Sequence, residues 1–218
     1  METRVIASGN LATPRRTLAG VLGQIYLLDL NEKQAKGLLT GAGLPARSLD
    51  EPDFPVSIER ELSLYLGLIQ HLQGEWSPST YLFGVAHHME LEHFGVLGTA
   101  MRHADNIVEA LRLALSYPQL SWGHCRLVVR AARQELAYAC TMERPDMPDT
   151  STGAIDLLVE YCTVLEVVSI MQITEATTRG QFQPIRVTLP FSRPEDWHQV
   201  ASLVPCPVEF DASEACIY

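Results

Sequence analysis

The residues that decide the fold run from Phe94 to Pro118, in the order F-G-V-L-G-T-A-M-R-H-A-D-N-I-V-E-A-L-R-L-A-L-S-Y-P. Residues 94–101 are small and apolar and include two glycines. We predict a short strand here, because a glycine within a strand often marks a bulge. Asp105 or Asn106 is the predicted cap of the helix that follows, and Glu109 lies three residues after Asn106, as in a capping box. The final proline ends that helix.

The chain before this stretch is predicted to be helical. Apolar residues recur every three or four positions through residues 17–90, which is typical of amphipathic helices. Asn31, with Gln34 three residues later, and Ser57 are the predicted N-caps. Residues 1–16 are polar and unpatterned, and we expect a flexible N-terminus there.

The chain after this stretch changes to the period of a strand. Residues 124–131 alternate, with Cys125 on one face and His124 and Arg126 on the other. Residues 136–142 alternate in the same way after a short turn, which indicates a β-hairpin.

A long helix at 152–176, strands at 184–189 and 207–210, and a short helix at 194–204 complete the prediction. The fold class is therefore α+β, a helical N-terminal half followed by an antiparallel sheet with packed helices. The predicted single domain covers residues 17–218, with its helical part at 17–90 and its α+β part at 91–218.

Composition limits the possible functions. The 218 residues are 47% apolar and carry a net charge of −10, which is typical of a globular chain. Only two lysines are present, and no basic stripe is formed by the arginines, so this chain by itself is poorly suited to bind DNA. Five widely spaced cysteines favour a reducing compartment. No signal sequence or membrane span is expected, and we predict a cytoplasmic protein.

Histidines suggest one chemical alternative. His87, His88 and His93 lie close to Glu90 and Glu92, and the i, i+4 spacing of His88 and Glu92 would allow a zinc site on a helix. The sequence has no H-E-x-x-H spelling, phosphate-binding loop or G-x-S-x-G motif. We therefore predict neither an enzyme nor a cofactor, and a small metal-dependent enzyme using His87–His103 remains the alternative.

Aromatic and polar side chains of the second half could line a pocket, because ligand pockets are mostly apolar with a few placed polar groups. The same residues could equally be core aromatics. The candidate ligand-binding residues are His103, Tyr117, Trp122, Arg126, Tyr138 and Tyr161.

Several motifs resemble one regulator family. Gly95–Ala100 reads G-V-L-G-T-A, Ile107–Leu113 reads I-V-E-A-L-R-L, and Tyr117 follows. In order and spacing these motifs resemble the arabinose-binding-like N-terminal domain of AraC-type transcriptional regulators. Leu49–Val56 is similar to the connector of that family and Pro205–Ala212 to its closing segment.

The resemblance implies a domain that senses a small-molecule effector and forms homodimers. In that family, DNA is bound by two helix-turn-helix units that follow this domain. The chain stops at Tyr218, about where the family's linker begins, so we expect the DNA-binding domain to be absent here. No polar cluster resembles a sugar site, and the effector is unknown. A module that sequesters a partner protein is a further alternative.

Overall fold

A computed structural model describes residues 4–7, 16–72, 74–89, 91, 95–117, 124–132, 135–181 and 183–218. Most of the first half is helical, as predicted. The helices are α1 Ala19–Leu27, α2 Glu32–Gly41, α3 Ile58–Leu72, α4 Pro78–Val85, α5 Gly95–Arg102, α6 Ile107–Ser116 and α7 Thr152–Thr178, with 3₁₀ turns at Ala46–Asp50, Ala86–His88 and Glu195–Gln199.

The predicted helix caps are confirmed. The side chain of Asn31 accepts a hydrogen bond from the backbone N–H of Gln34 at 3.0 Å. In return, the side chain of Gln34 accepts from the backbone N–H of Asn31 at 3.1 Å. Ser57 Oγ accepts from the N–H of Arg60 at 3.4 Å at the start of α3. Each bond satisfies a donor that the first turn of a helix leaves without an intrahelical partner.

Two neighbouring residues, Asp105 and Asn106, share the two hydrogen bonds that cap the start of α6. Asn106 Oδ1 accepts from the N–H of Glu109 at 3.1 Å. The carboxylate of Glu109 accepts from the N–H of Asp105 at 2.8 Å, one residue before the position that a capping box uses. The helix then continues to Ser116, as the pattern of its apolar residues predicts.

The strand predicted at residues 94–101 is wrong, because Gly95–Arg102 forms α5. Leu97 and Met101, four residues apart, are both buried, whereas the side chain of Val96 is 71% exposed. This i, i+4 burial is the helical period, and it outweighs the two glycines that suggested a bulged strand. Phe94 lies outside the described residues.

The main sheet is mostly antiparallel, with the order β1-β4-β5-β8-β6-β7, and β2 pairs with β3 separately. The predicted hairpin is confirmed, because β4 and β5 pair in antiparallel register over their full length. The strands are β1 Arg4–Ala7, β2 Arg16–Thr17, β3 Pro55–Val56, β4 Arg126–Ala132, β5 Glu135–Thr141, β6 Val187–Thr188, β7 Val208–Glu209 and β8 Ala215–Ile217.

Four of the described strands were not predicted, namely the separate pair β2 and β3 and two strands of the main sheet, β1 and β8. β1 lies within the segment that we expected to be flexible, and it pairs with β4 at the edge of the sheet. β8 pairs with β5 on one side and β6 on the other. Both strands are three or four residues long, so their order comes from distant hydrogen-bond partners and not from local pattern.

The core lies between the helices and one face of the sheet. Buried apolar side chains from Leu18 near α1 to Ile217 in β8 belong to one continuous cluster. The long helix α7 is buried on most sides, as its apolar sequence predicts, and α3, α4 and α6 pack against it. The fold class is therefore confirmed as α+β. Within the described ranges no helix is long and apolar enough to cross a bilayer.

Candidate functional site

Five buried polar and aromatic side chains meet where the helical half packs on the sheet, and we call them the interior polar cluster. Its central ring is Tyr65, whose ring centroid lies 5.4 Å from that of His124, edge-on, and 5.4 Å from that of Tyr161. Nε2 of His124 lies 3.4 Å from Oε1 of Glu61, and Tyr161 Oη donates to Oε1 of Gln24 at 3.2 Å.

These residues come from four separate parts of the chain. Gln24 lies on α1, Glu61 and Tyr65 on α3, His124 just before β4, and Tyr161 on α7. The side chains of Glu61 and His124 are 3% and 2% exposed. Burial raises the pKa of the Tyr161 hydroxyl well above its ordinary value, so that this group stays protonated and donates.

The cluster is largely paired, because Tyr161 bonds to Gln24 and Glu61 lies beside His124, although Nε2 of Gln24 has no hydrogen-bond partner among the described residues. A buried carboxylate with no such partner would be strongly unfavourable. This pairing stabilises one particular packing of α1, α3 and α7 around the start of the sheet.

An open cleft, which we call the acidic cleft, lies beside His124. It has a volume of about 650 Å³ between α3 and the irregular segment 142–150, which is within the usual range for small-molecule sites. Arg144 in its wall is bound to Asp156. The apolar lining side chains are Ile58, Leu62, Met142, Pro145, Met147 and Pro148, and the carboxylates are Glu59, Glu143, Asp146 and Asp149.

A smaller recess is lined in part by α7, and we call it the Tyr138 cavity. It has a volume of about 60 Å³. Tyr138 on β5 is 4% exposed, and its hydroxyl has no hydrogen-bond partner among the described residues. Burial raises the pKa of this hydroxyl above its ordinary value. The lining residues are Ile107, Leu136, Tyr138, Met171, Thr174, Gln183, Pro184, Ile217 and Tyr218.

A partly buried carboxylate on α7, that of Glu160, is held by the start of α4. Oε1 of Glu160 accepts from Ser79 Oγ at 2.5 Å and from the N–H of Ser79 at 3.3 Å. Burial raises the pKa of Glu160, while the bonds from Ser79 act to lower it, and the result is a pKa above the ordinary value. This contact fastens α4 to α7.

The six candidate ligand-binding residues do not form one group. Tyr138 and Tyr161 are buried in the core. Arg126 and His103 are exposed, and the latter has Nδ1 2.9 Å from the carbonyl oxygen of Thr99. Tyr117 is exposed at the end of α6, and Trp122 lies outside the described residues.

Sequence reasoning missed Gln24, Glu61 and His124. A signal for Glu61 was present, because it lies three residues after Ile58 and four before Tyr65, on the buried stripe of α3. His124 was assigned to a strand, on the face opposite Cys125, but it precedes β4 and lies beside Glu61.

In the described part of the histidine-rich segment, two histidines lie side by side. His87 and His88 lie in a 3₁₀ turn with ring centroids 3.8 Å apart. In the part of the chain that the structure describes, no three His, Cys, Asp or Glu side chains are placed to hold a metal ion. Glu90, Glu92 and His93 lie outside that part.

Comparison with known proteins points to one family. Residues 34–218 match the family model described as the arabinose-binding domain of AraC transcription regulator, N-term. No curated protein matches the chain significantly. The crystal structure of transcriptional regulator CdpR from Pseudomonas aeruginosa is similar, with a TM-score of 0.50, 19% identity, and coverage of 85% of this chain and 53% of that chain. The chain thus spans about half the length of that regulator, and at this identity the likeness shows the fold alone.

Proposed function

We propose, from the premise that this chain belongs to the family of N-terminal arabinose-binding domains of AraC transcription regulators, that it senses a small-molecule effector and forms a homodimer. The observation that carries the proposal is the family match over residues 34–218. That family consists of ligand-binding domains and not enzymes, in agreement with the sequence prediction. The effector acts in the cytoplasm, and DNA is contacted by another domain of the complete regulator.

The position of the recesses supports effector sensing. The acidic cleft lies between α3 and residues 142–150, and the Tyr138 cavity lies where α6 and α7 pack on the sheet. A ligand shifts a conformational equilibrium only by as much as its affinity differs between the two states. A recess between packed elements provides such a difference, because its shape changes when the elements move.

The net charge of the chain supports the proposal that this domain senses the effector and that another domain binds DNA. A net charge of −10 disfavours contact with the phosphate backbone, which requires clustered Lys and Arg. The sensing domain therefore acts on DNA indirectly, by altering how the DNA-binding units of the regulator are arranged.

The sensing role is tested by thermal melting of the purified chain against a metabolite library, followed by a promoter-reporter assay with the complete gene product. A true effector raises the melting temperature, because it binds the native state, and it also changes promoter activity. If no compound changes promoter activity in cells with a working regulator, the sensing role is wrong.

Dimer formation is a separate part of the proposal. Val96 on α5 and Tyr117 at the end of α6 are large apolar side chains exposed on consecutive helices, and they are candidate contacts. The substitution Val96→Glu is expected to lower the dimer fraction in sedimentation equilibrium, whereas Leu203→Glu, at another exposed apolar position, leaves it unchanged. A monomer at high concentration in the unsubstituted chain would contradict the dimer.

The six candidate residues remain part of the proposal, but we expect different kinds of contact with the effector from them. Tyr138 lines a cavity, so it is the residue for which we expect a direct effector contact. The hydroxyl of Tyr161 is bonded to Gln24, and we expect an indirect role for it. His103, Tyr117 and Arg126 are exposed, and their proposed contribution would need a ligand that reaches the surface.

A further inference from the structure

The hydroxyl of Tyr138 is polar, buried and without a partner in the described ranges. A buried donor that makes no hydrogen bond is unfavourable, so native proteins contain few of them. Phenylalanine would fill the same position without that cost. Tyr138 lines a cavity, which suggests that the partner of its hydroxyl arrives from outside the chain.

The wall of the Tyr138 cavity is mainly apolar. Ile107 at the start of α6, Met171 on α7, and Ile217 on β8 face it, and Ile217 is the register partner of Tyr138 across the sheet. Contact with this surface favours a hydrocarbon body in the ligand. The space of about 60 Å³ is several times what one water molecule needs. It therefore accepts a molecule of a few carbon atoms or the end of a longer one.

The state of the hydroxyl fixes which polar group fits. Burial raises the pKa of Tyr138, so the phenol stays protonated and serves as a donor to an acceptor oxygen on the ligand.

The charge of the lining excludes an ionised acceptor. Among the described residues of the wall, none is Lys or Arg. Arg186 stands over the ring of Tyr218 at 4.1 Å and lies 3.7 Å from Glu209, so its charge is already engaged at the edge. Burying a carboxylate without a cation beside it is costly, and a neutral oxygen is favoured.

We propose that the Tyr138 cavity binds a small, neutral, largely apolar molecule, or such an end of a longer one, through a carbonyl oxygen that accepts a hydrogen bond from Tyr138. This inference rests on the proposed sensing function, of which it names the ligand class. The bound molecule contacts α6, β5, α7 and β8 together, and it stabilises their packing.

The test measures binding of cyclopentanone and methylcyclopentane, which have similar shapes, to the whole chain by ligand-observed NMR. In Tyr138→Phe we expect the affinity for cyclopentanone to fall about fivefold, the equivalent of one neutral hydrogen bond. The affinity for methylcyclopentane stays unchanged, because the hydrocarbon makes no such bond.

Tyr81→Phe is the matched control. Tyr81 on α4 also has a buried hydroxyl with no partner among the residues described, and it does not line the Tyr138 cavity. We expect it to leave both affinities unchanged. Equal loss of cyclopentanone binding in both variants, or none in Tyr138→Phe, overturns the proposal.

Two further outcomes separate this inference from the sensing function. If neither probe binds, but another compound changes promoter activity, the cavity proposal fails and sensing stands. If cyclopentanone binds through Tyr138, but no compound changes promoter activity, the site stands and sensing fails. Tighter binding of 2-nonanone than of cyclopentanone, with the same fold loss of affinity in Tyr138→Phe, would show that the cavity takes the end of a longer ligand.

Discussion

Tyr161 and Tyr138 are both buried tyrosines of the same core, but their hydroxyls have different surroundings. Tyr161 on α7 donates to Gln24 inside a packed cluster. Tyr138 on β5 ends at a cavity and has no partner in the described part of the chain. The difference indicates that one hydroxyl is a structural fastening between helices, and that the other is available to a ligand.

The largest expected effect concerns the interior polar cluster to which Tyr161 belongs. Glu61→Leu removes the carboxylate that lies 3.4 Å from His124 and leaves a buried imidazole without it. Loss of the partner of a buried polar group costs about 1–3 kcal/mol, and more where that group is charged. Urea denaturation measures the change in unfolding free energy.

The control for this substitution is Glu59→Leu, at an exposed position on the first turn of the same helix. We expect it to have little effect. If the two variants lose similar stability, the interior polar cluster does not hold the helices together. Tyr161 would then not be a structural fastening, in contrast to what we infer here.

The second effect is smaller and concerns Tyr161 itself. Tyr161→Phe removes the bond to Gln24 and leaves an amide oxygen buried, so a loss of about 1–2 kcal/mol is expected. The double variant with Gln24→Leu should recover part of this loss, because both polar partners are then gone. No change in the urea midpoint of the single variant would show that the bond contributes nothing.

The partly buried carboxyl group of Glu160 allows a further test, in which stability is measured as a function of pH. Glu160, next to Tyr161 on α7, has a partner in Ser79, yet burial raises its pKa above the ordinary value of 4.5. The native state therefore holds this proton more tightly than the unfolded chain. Its contribution to stability is fully present below pH 4.5 and declines as pH rises through the pKa of the native state.

The measurement is a series of urea midpoints at increasing pH for the unsubstituted chain and Glu160→Gln. The substituted chain should lose this component of the pH dependence, because glutamine does not titrate. A wild type that gains stability relative to Glu160→Gln as pH rises would contradict the direction of the shift.

The smallest effect has the opposite sign. Tyr138→Phe removes a hydroxyl that has no partner within the described residues, so the unfolding free energy should stay the same or rise by at most about 1 kcal/mol. Thermal and urea denaturation both report it. A loss as large as that of Tyr161→Phe would reveal a bound water or another partner, and Tyr138 would then resemble Tyr161.

Local sequence predicted those elements that local interactions determine. The caps at Asn31 and Asn106 were found because each bond spans only three residues. The strand β5 and its hairpin with β4 followed from the alternation of residues 136–142, which is a period-two pattern. The error at residues 94–101 arose because glycines were given more weight than the i, i+4 pair of Leu97 and Met101.

The rest of the fold and of the site depends on distant partners. β1 was missed because its hydrogen bonds come from β4, more than a hundred residues away. The bond from Tyr161 to Gln24 joins residues 137 positions apart. The Tyr138 cavity combines residues of α6, β5, α7 and β8, and no spacing in the sequence indicates that space remains between them.

The most direct test of the account is a methyl NMR titration of the isotope-labelled chain with cyclopentanone. We expect shifts to concentrate on methyl groups of Ile107, Met171 and Ile217, which line the Tyr138 cavity, while Ile25 near the interior polar cluster stays unchanged. Shifts centred on Met142 and Met147 in the acidic cleft, or shifts absent from the three cavity residues, would contradict it.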